Sequence, residues 1–206
     1  GLKVEVFDHN GRSVVGEKGE LVCTTPFPSM PIGFWGDTDN KKYKAAYFER
    51  FPNVWHHGDF VELKPGGGMV FYGRSDAVLN PGGVRIGTAE IYRQVEKIPE
   101  ILESLCVAQR WQDDERIVLF VRMAEGKSLS AALKDTIRKV IRENASPFHV
   151  PKKIVAVADI PRTRSGKIVE LAVRDIINGV TPKNIEALAN PEALVAMRKI
   201  RELQEE

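Results

Sequence analysis

Residues 152–176 read "KKIVAVADIPRTRSGKIVELAVRDI". A β-branched apolar run comes first. A Pro, two Arg and a Ser-Gly-Lys follow, and then apolar residues at helical spacing. Strand, loop and helix thus succeed one another within one short stretch. The alternation extends upstream, where "ESLCVAQRW" and "ERIVLFVRM" read as strands. "TAEIYRQVEKI", with Thr88 as its expected N-cap, and "SLSAALKDTIRKVIREN" read as amphipathic helices. The helix after the loop is expected from Lys167 to Asn178, and the tail "TPKNIEALANPEALVAMRKIRELQEE" reads as a Pro-broken helix pair. The pattern from Asp76 onward is therefore α+β, a small sheet flanked by helices.

Residues 1–73 read differently. "LKVEVFD" and "GELVCTT" are strand-like, separated by turn signals. "DFVELK", "PGGG" and "MVFYG" form a hairpin signal. Between them, "PFPSMPIGFWGDTDNKKYKAAYFERFP" reads as an irregular surface loop with a short helix near Asn40–Phe48. The expected division is a small, distorted barrel-like β subdomain over residues 1–75 and an α+β domain over 76–206. "GRSDAVLNPGG" would be the linker between them. Because the chain opens directly in a strand-like alternation, it is expected to be a piece of a longer protein.

The 206 residues carry a net charge of +2 and are 43% hydrophobic and 28% charged. A core can form, and a polycationic nucleic-acid binder is excluded. A nucleic-acid site at the Lys152–Lys153 pair, Arg162, Arg164 and Lys167 would also want stacking aromatics, and only Phe148 is near. Cys23 and Cys106 form no metal-spaced pair and read as buried free thiols of a reducing cytoplasm, with no metal site. No run approaches the roughly 20 apolar residues of a membrane span.

Lys167 admits three readings. A Walker-type phosphate loop fails, because Pro161 stands where its first Gly belongs and Ile168 follows the Lys. A solvated surface Lys is the ordinary fate of the residue. The third reading is a movable cation reaching an anionic group elsewhere, with Gly166 loosening the backbone and Arg162 and Arg164 keeping the neighbourhood positive.

Other segments bear on that choice. "HHGDF" offers Asp59, an acceptor for sugar hydroxyls or an Asx-turn residue. "YGRSD" offers Arg74 and Asp76: a ribose or phosphate contact, or a surface ion pair. "NPGGVRIGTAEI" offers Gly82 and Gly83, which permit close backbone approach, and Arg85, which can fork onto phosphate; a tight turn with a solvated Arg is the plainer alternative. His56 and His57 could be ligands or bases, and packing beside the site is the simpler reading.

The order of these pieces, GD, GR-x-D, GG-x-R-x-G-x-AEI and P-x-T-x-SGK, resembles the adenylate-forming superfamily of acyl-CoA synthetases, luciferases and peptide-synthetase adenylation domains. The resemblance covers nearly the whole chain. It implies the last small β subdomain of a large ATP- and acid-binding part, followed by the mobile C-terminal lid. The ATP-phosphate loop and the adenine- and magnesium-contacting segment are missing, which implies that this polypeptide alone is inactive. By the same resemblance, Lys167 would serve adenylate formation, Asp59 and Arg74 would bind ribose, and Asp76 would be the hinge. Gly82, Gly83 and Arg85 would meet coenzyme A. ATP, coenzyme A and an acid would be small-molecule partners, and Mg2+ would be bound mainly by the N-terminal part. "LNPGGVRIGTAEIY" is similar to the acetyl-CoA synthetase branch. "VELAV", "ALANPEAL" and "WHHGDF" narrow the expected acid to acetoacetate, with acetate, propionate or another short acid as the alternative. A non-catalytic nucleotide- or coenzyme-A-binding module is the competing class.

Overall fold

The computed structural model describes residues 1–182 and 184–205. Two members of the expected tail helix pair, Lys183 and Glu206, lie outside the described residues. The chain divides into two compact units, Gly1–Asp76 and Ala77–Glu206.

The first unit is a four-stranded antiparallel sheet in chain order, β1 (Val4–Phe7), β2 (Lys18–Cys23), β3 (Trp55–Leu63) and β4 (Met69–Arg74). No pairing between β1 and β4 closes it among the described residues, so it is an open meander rather than barrel-like. Four strands are too few to curl into a barrel around packed side chains. Val6, Leu21 and Val61 form its apolar centre, with Val14, Leu63 and Met69 against them. The long loop carries α1 (Lys41–Tyr47), none of whose residues is buried. Aromatic stacking holds this helix to the sheet: the Tyr47 ring lies 3.7 Å from that of Trp55 at an interplanar angle of 14°.

The second unit is built on a long hairpin, β5 (Ile101–Trp111) and β6 (Asp114–Met123), with β7 (Lys153–Ala156) parallel to β6. The sheet order is β5-β6-β7. Strand side chains alternate between faces, and here both faces are apolar. Cys106, Ala108, Ile117, Leu119 and Val121 meet α2 (Thr88–Val95) and α3 (Ala131–Asn144) through Ile91, Val95, Ile137 and Ile141. Leu105, Val107, Val118, Phe120 and Val155 meet α4 (Glu170–Ile177) and α5 (Pro191–Arg198) through Val173, Ile176, Ile177, Leu194 and Met197. The chain is thus α+β with two small sheets.

Two helix boundaries differ from the sequence expectation. Gly87, not Thr88, is the N-cap of α2; Thr88 is buried and already helical, and the Glu90 carboxylate accepts the Gly87 N–H at 3.2 Å. Helix α4 starts at Glu170, not Lys167, because Ile168 bridges to Arg162 and the Val169 N–H donates to the Pro161 carbonyl at 3.2 Å. In the tail, a short 3-10 turn, Ile185–Ala187, stands where the first helix of the pair was expected.

The tail is secured from the sheet. Arg116, buried and stacked 3.5 Å over the Trp111 ring, donates to the carbonyls of Leu203 and Glu205, both at 2.8 Å. Gln109 accepts from Arg116 at 2.9 Å and donates to the Leu203 carbonyl, also at 2.9 Å.

Candidate functional site

In the first unit, β3–β4 pairing sets Asp59 opposite Arg74. The Asx-turn alternative for Asp59 is thereby removed, since the residue lies inside a strand. The Arg74 guanidinium donates to Asp59 Oδ1 at 3.4 Å and to the His57 carbonyl at 3.2 Å, and lies 3.5 Å from Asp76 Oδ1. Gly58, at φ +85, leaves room for it: a Cβ there would sit 2.6 Å from Arg74 Nη2. The Trp55 N–H can only donate, and it donates to His57 Nδ1 at 3.2 Å. The remaining His57 proton is therefore on Nε2, 3.6 Å from Asp59 Oδ2. His56 instead faces Glu20, which is 1% exposed. Glu20 pairs with Arg50 at 3.1 Å and His56 at 3.0 Å and accepts the Ser75 hydroxyl. Sequence reasoning missed this buried acid beneath the Arg74–Asp76 segment; the "GEL" run was its only signal. A separate cleft of about 760 Å³, lined by Tyr43, Lys44, Phe48 and Trp55 among others, includes none of Asp59, Arg74 and Asp76.

In the second unit, the segment read as a linker is packed. Leu79 is buried and exchanges backbone hydrogen bonds with Ile86 at 2.9 and 2.8 Å. That pairing closes an exposed turn, Pro81–Gly83, with φ +59 at Gly82 and +79 at Gly83. The Asn80 N–H donates to Glu115, and the Gly82 N–H donates to Asp114 Oδ2 at 2.9 Å. A Cβ on either Gly would meet nothing within 4 Å. Arg85 is exposed on the same loop.

The Lys loop is a closed hairpin rather than a loosened segment. Arg162 and Ile168 bridge, the Thr163 N–H donates to the Lys167 carbonyl at 2.8 Å, and the Gly166 N–H donates to the Thr163 carbonyl at 2.8 Å. Gly166, at φ +83, supplies the left-handed residue that closes the turn. The tail flanks the other side: Thr163 bridges to Leu188, and the Ala189 N–H donates to the Arg162 carbonyl at 2.9 Å. Arg162 does not add free positive charge, because it pairs with Glu103 at 2.7 Å. Glu103 is held in turn by Arg122 at 2.7 Å. The Lys167 side chain is exposed, and its ammonium has no partner among the described residues.

The two loops are anchored at opposite ends of one strand. Glu103, which holds the Lys hairpin, lies near the start of β5 and pairs with Arg122. Asp114 and Glu115, which hold the Gly turn, pair with Trp111 and Arg110 at its far end. Seven residues of strand separate Glu103 from Arg110, roughly 23 Å at the usual rise.

Asn190, buried beneath the Lys hairpin, is another residue the sequence did not reveal. Its amide donates to Asp159 Oδ2 at 2.5 Å and the Ile160 carbonyl at 3.0 Å, and its oxygen accepts the Arg162 N–H at 2.9 Å. The Asn190 bond is the largest influence holding the Asp159 carboxyl below its ordinary value. Asn190→Ala is expected to cost about 2–3 kcal/mol, because buried backbone groups lose their partners. Thermal unfolding checks this; the midpoint should fall by roughly 5–10 °C. A carboxyl lowered in the folded state stabilises above its unfolded value and stops doing so as pH falls through its folded one. The gap between wild type and variant should therefore narrow on acidification.

Residues 93–167 match the family described as the AMP-binding enzyme C-terminal domain. Over 99% of its length the chain is 63% identical to the acetoacetyl-coenzyme A synthetase of Rhizobium meliloti (strain 1021), covering 31% of that protein. It is 47% identical to the acetoacetyl-CoA synthetase of Rattus norvegicus over its full length, again 31% of the relative. The acetoacetyl-CoA synthetase structure from Streptomyces lividans superposes with a TM-score of 0.88 at 38% identity, over 99% of this chain and 31% of that one. The chain is thus similar over residues 93–167 to the C-terminal domain of AMP-binding enzymes. More narrowly, it is homologous along its length to the C-terminal region of acetoacetyl-CoA synthetases, and spans about a third of their length.

Proposed function

We propose that the chain forms the last β subdomain and the moving lid of an ATP-dependent acetoacetate–CoA ligase of the cytoplasm, with residues 1–75 in the former, 76–206 in the latter and the hinge near Asp76. The observation that carries this reading is the pair of exposed loops at opposite ends of β5, which only an end-for-end turn could present in succession to one site.

In the first step, an acetoacetate carboxylate oxygen bonds to the α-phosphorus of ATP and the bond to pyrophosphate breaks. Asp59 accepts from the ribose hydroxyls while Arg74 steadies Asp59 and reaches the same sugar. The Lys167 ammonium sits between carboxylate and α-phosphate oxygens, where it orients both and offsets charge in transfer. The lid then turns about Asp76. Lys167 departs, the Gly82–Gly83 turn lines the pantetheine arm, and Arg85 meets a coenzyme A phosphate. The thiol sulfur bonds to the acyl carbon, AMP leaves with the bridging oxygen, and the thiol proton is released.

Mg2+ would screen the phosphates when bound. Among the described residues no group of three His, Cys, Asp or Glu could hold it. That metal belongs with the N-terminal part, the remaining partner of this chain. No described helix is long and apolar enough to cross a membrane, and no membrane or nucleic-acid partner enters the reading.

A panel of short acids supplied to the full-length enzyme with ATP and coenzyme A tests the assignment. Release of AMP should be fastest with acetoacetate. A clear preference for acetate or propionate would defeat the choice of acid.

A further inference from the structure

β5 is an edge strand, so its outer backbone groups need partners from elsewhere. Near its far end Asn178 supplies them, accepting the Arg110 N–H at 2.7 Å and donating to the Ala108 carbonyl at 3.1 Å. At mid-strand the partner is a tyrosine. The Tyr92 hydroxyl accepts the Cys106 N–H at 3.0 Å and donates its own proton to the Glu170 carboxylate. Burial and the adjacent Glu170 charge push the Tyr92 hydroxyl well above its ordinary value, so it stays a donor.

The bond joins two helices with distinct origins. Tyr92 lies on α2, which begins five residues after Gly83. Glu170 is the first residue of α4, three residues after Lys167. Helix α2 packs on one face of the sheet and α4 on the other. The Tyr92–Glu170 hydrogen bond that connects them passes around the edge of β5, between the ends that anchor the two loops.

From this geometry we infer that Tyr92 and Glu170 are positioning residues that lock the Gly turn and the Lys hairpin into a single rigid body, so that departure of one loop delivers the other. The inference rests on the proposed function and adds residues that touch no substrate.

The test uses full-length enzyme and measures the half-reactions apart: pyrophosphate–ATP exchange for adenylation, and thioester formation from supplied acyl-adenylate. Tyr92→Phe keeps the ring and removes the donor. It should lower kcat about tenfold in both half-reactions, since small misplacement at a distance is amplified at the reacting atoms. KM for ATP should stay unchanged. Glu170→Ala should behave alike, also covering the case in which Tyr92→Phe fails to fold. Glu170→Gln, which keeps an acceptor oxygen, should restore most of both rates. Wild-type rates in Tyr92→Phe or Glu170→Ala, or loss confined to one half-reaction, would overturn the inference.

Hydrogen–deuterium exchange needs no turnover and separates the two claims. In Tyr92→Phe, residues 81–88 and 163–169 should both exchange faster. Joint loosening in an enzyme whose wild type forms no adenylate would fault the proposed function and keep the tie. Loosening of only one loop would sink the tie.

Discussion

Lys167→Ala in the full-length enzyme is expected to abolish adenylate formation, by about 10²–10³-fold or more, while leaving thioester formation from supplied acyl-adenylate within a few-fold of wild type. The asymmetry follows from the hairpin. Residue 167 helps to close it through backbone atoms and not its side chain: its carbonyl accepts the Thr163 N–H at 2.8 Å and its N–H donates to the Thr163 hydroxyl at 3.1 Å. The ammonium is exposed and unpartnered among the described residues, so removing it leaves no buried group unpaired and the thermal midpoint should not move. Lys167→Arg should recover little, because a planar fork does not replace a compact charge between two anions. Pyrophosphate–ATP exchange and a thioester assay on supplied adenylate check the two halves. Equal loss of both would count against a lid with two poses.

Gly83→Leu should give the reverse pattern, with thioester formation falling more than about 100-fold and adenylation staying within a few-fold. Gly83 sits at φ +79 in an open turn whose anchors are the Asn80 and Gly82 N–H groups, neither of which the substitution touches. A side chain meets no neighbour within 4 Å, so the folded lid bears only the left-handed strain of about 1–2 kcal/mol. On the proposed function, the damage would come from bulk in the path of the pantetheine arm. Gly83→Ala separates the causes: it carries the same strain with little bulk and should retain most of the thioester rate. A comparable loss in the Ala variant would make the turn's backbone shape, not its open space, the critical feature.

Local motifs were legible in the sequence, and long-range partnership was not. The GD, GR-x-D, GG-x-R and SGK pieces each lie within a few residues, so type and spacing were enough to single them out. The apolar runs of β5 and β6 were also readable, as was the periodicity of α3. What holds those pieces in place came from far away. Glu103 reaches Arg162 across 59 residues, Tyr92 reaches Glu170 across 78, and Asn190 returns to Arg162 across 28. Nothing local marked Asp114 and Glu115 as acceptors for the Gly82 and Asn80 N–H groups more than thirty residues away. Gly166 was misread for the same reason. Alone it suggests looseness, but with Thr163 opposite it closes a turn. The open first sheet could not be told from a barrel, because alternation specifies strands and not closure.

The account stands on acyl-adenylate chemistry in the parent enzyme, and oxygen tracing reaches it directly. Acetoacetate carrying ¹⁸O in both carboxylate oxygens, turned over with ATP and coenzyme A, should leave one ¹⁸O in AMP and the other in the thioester carbonyl. AMP free of label, or ¹⁸O appearing in orthophosphate, would contradict attack on the α-phosphorus.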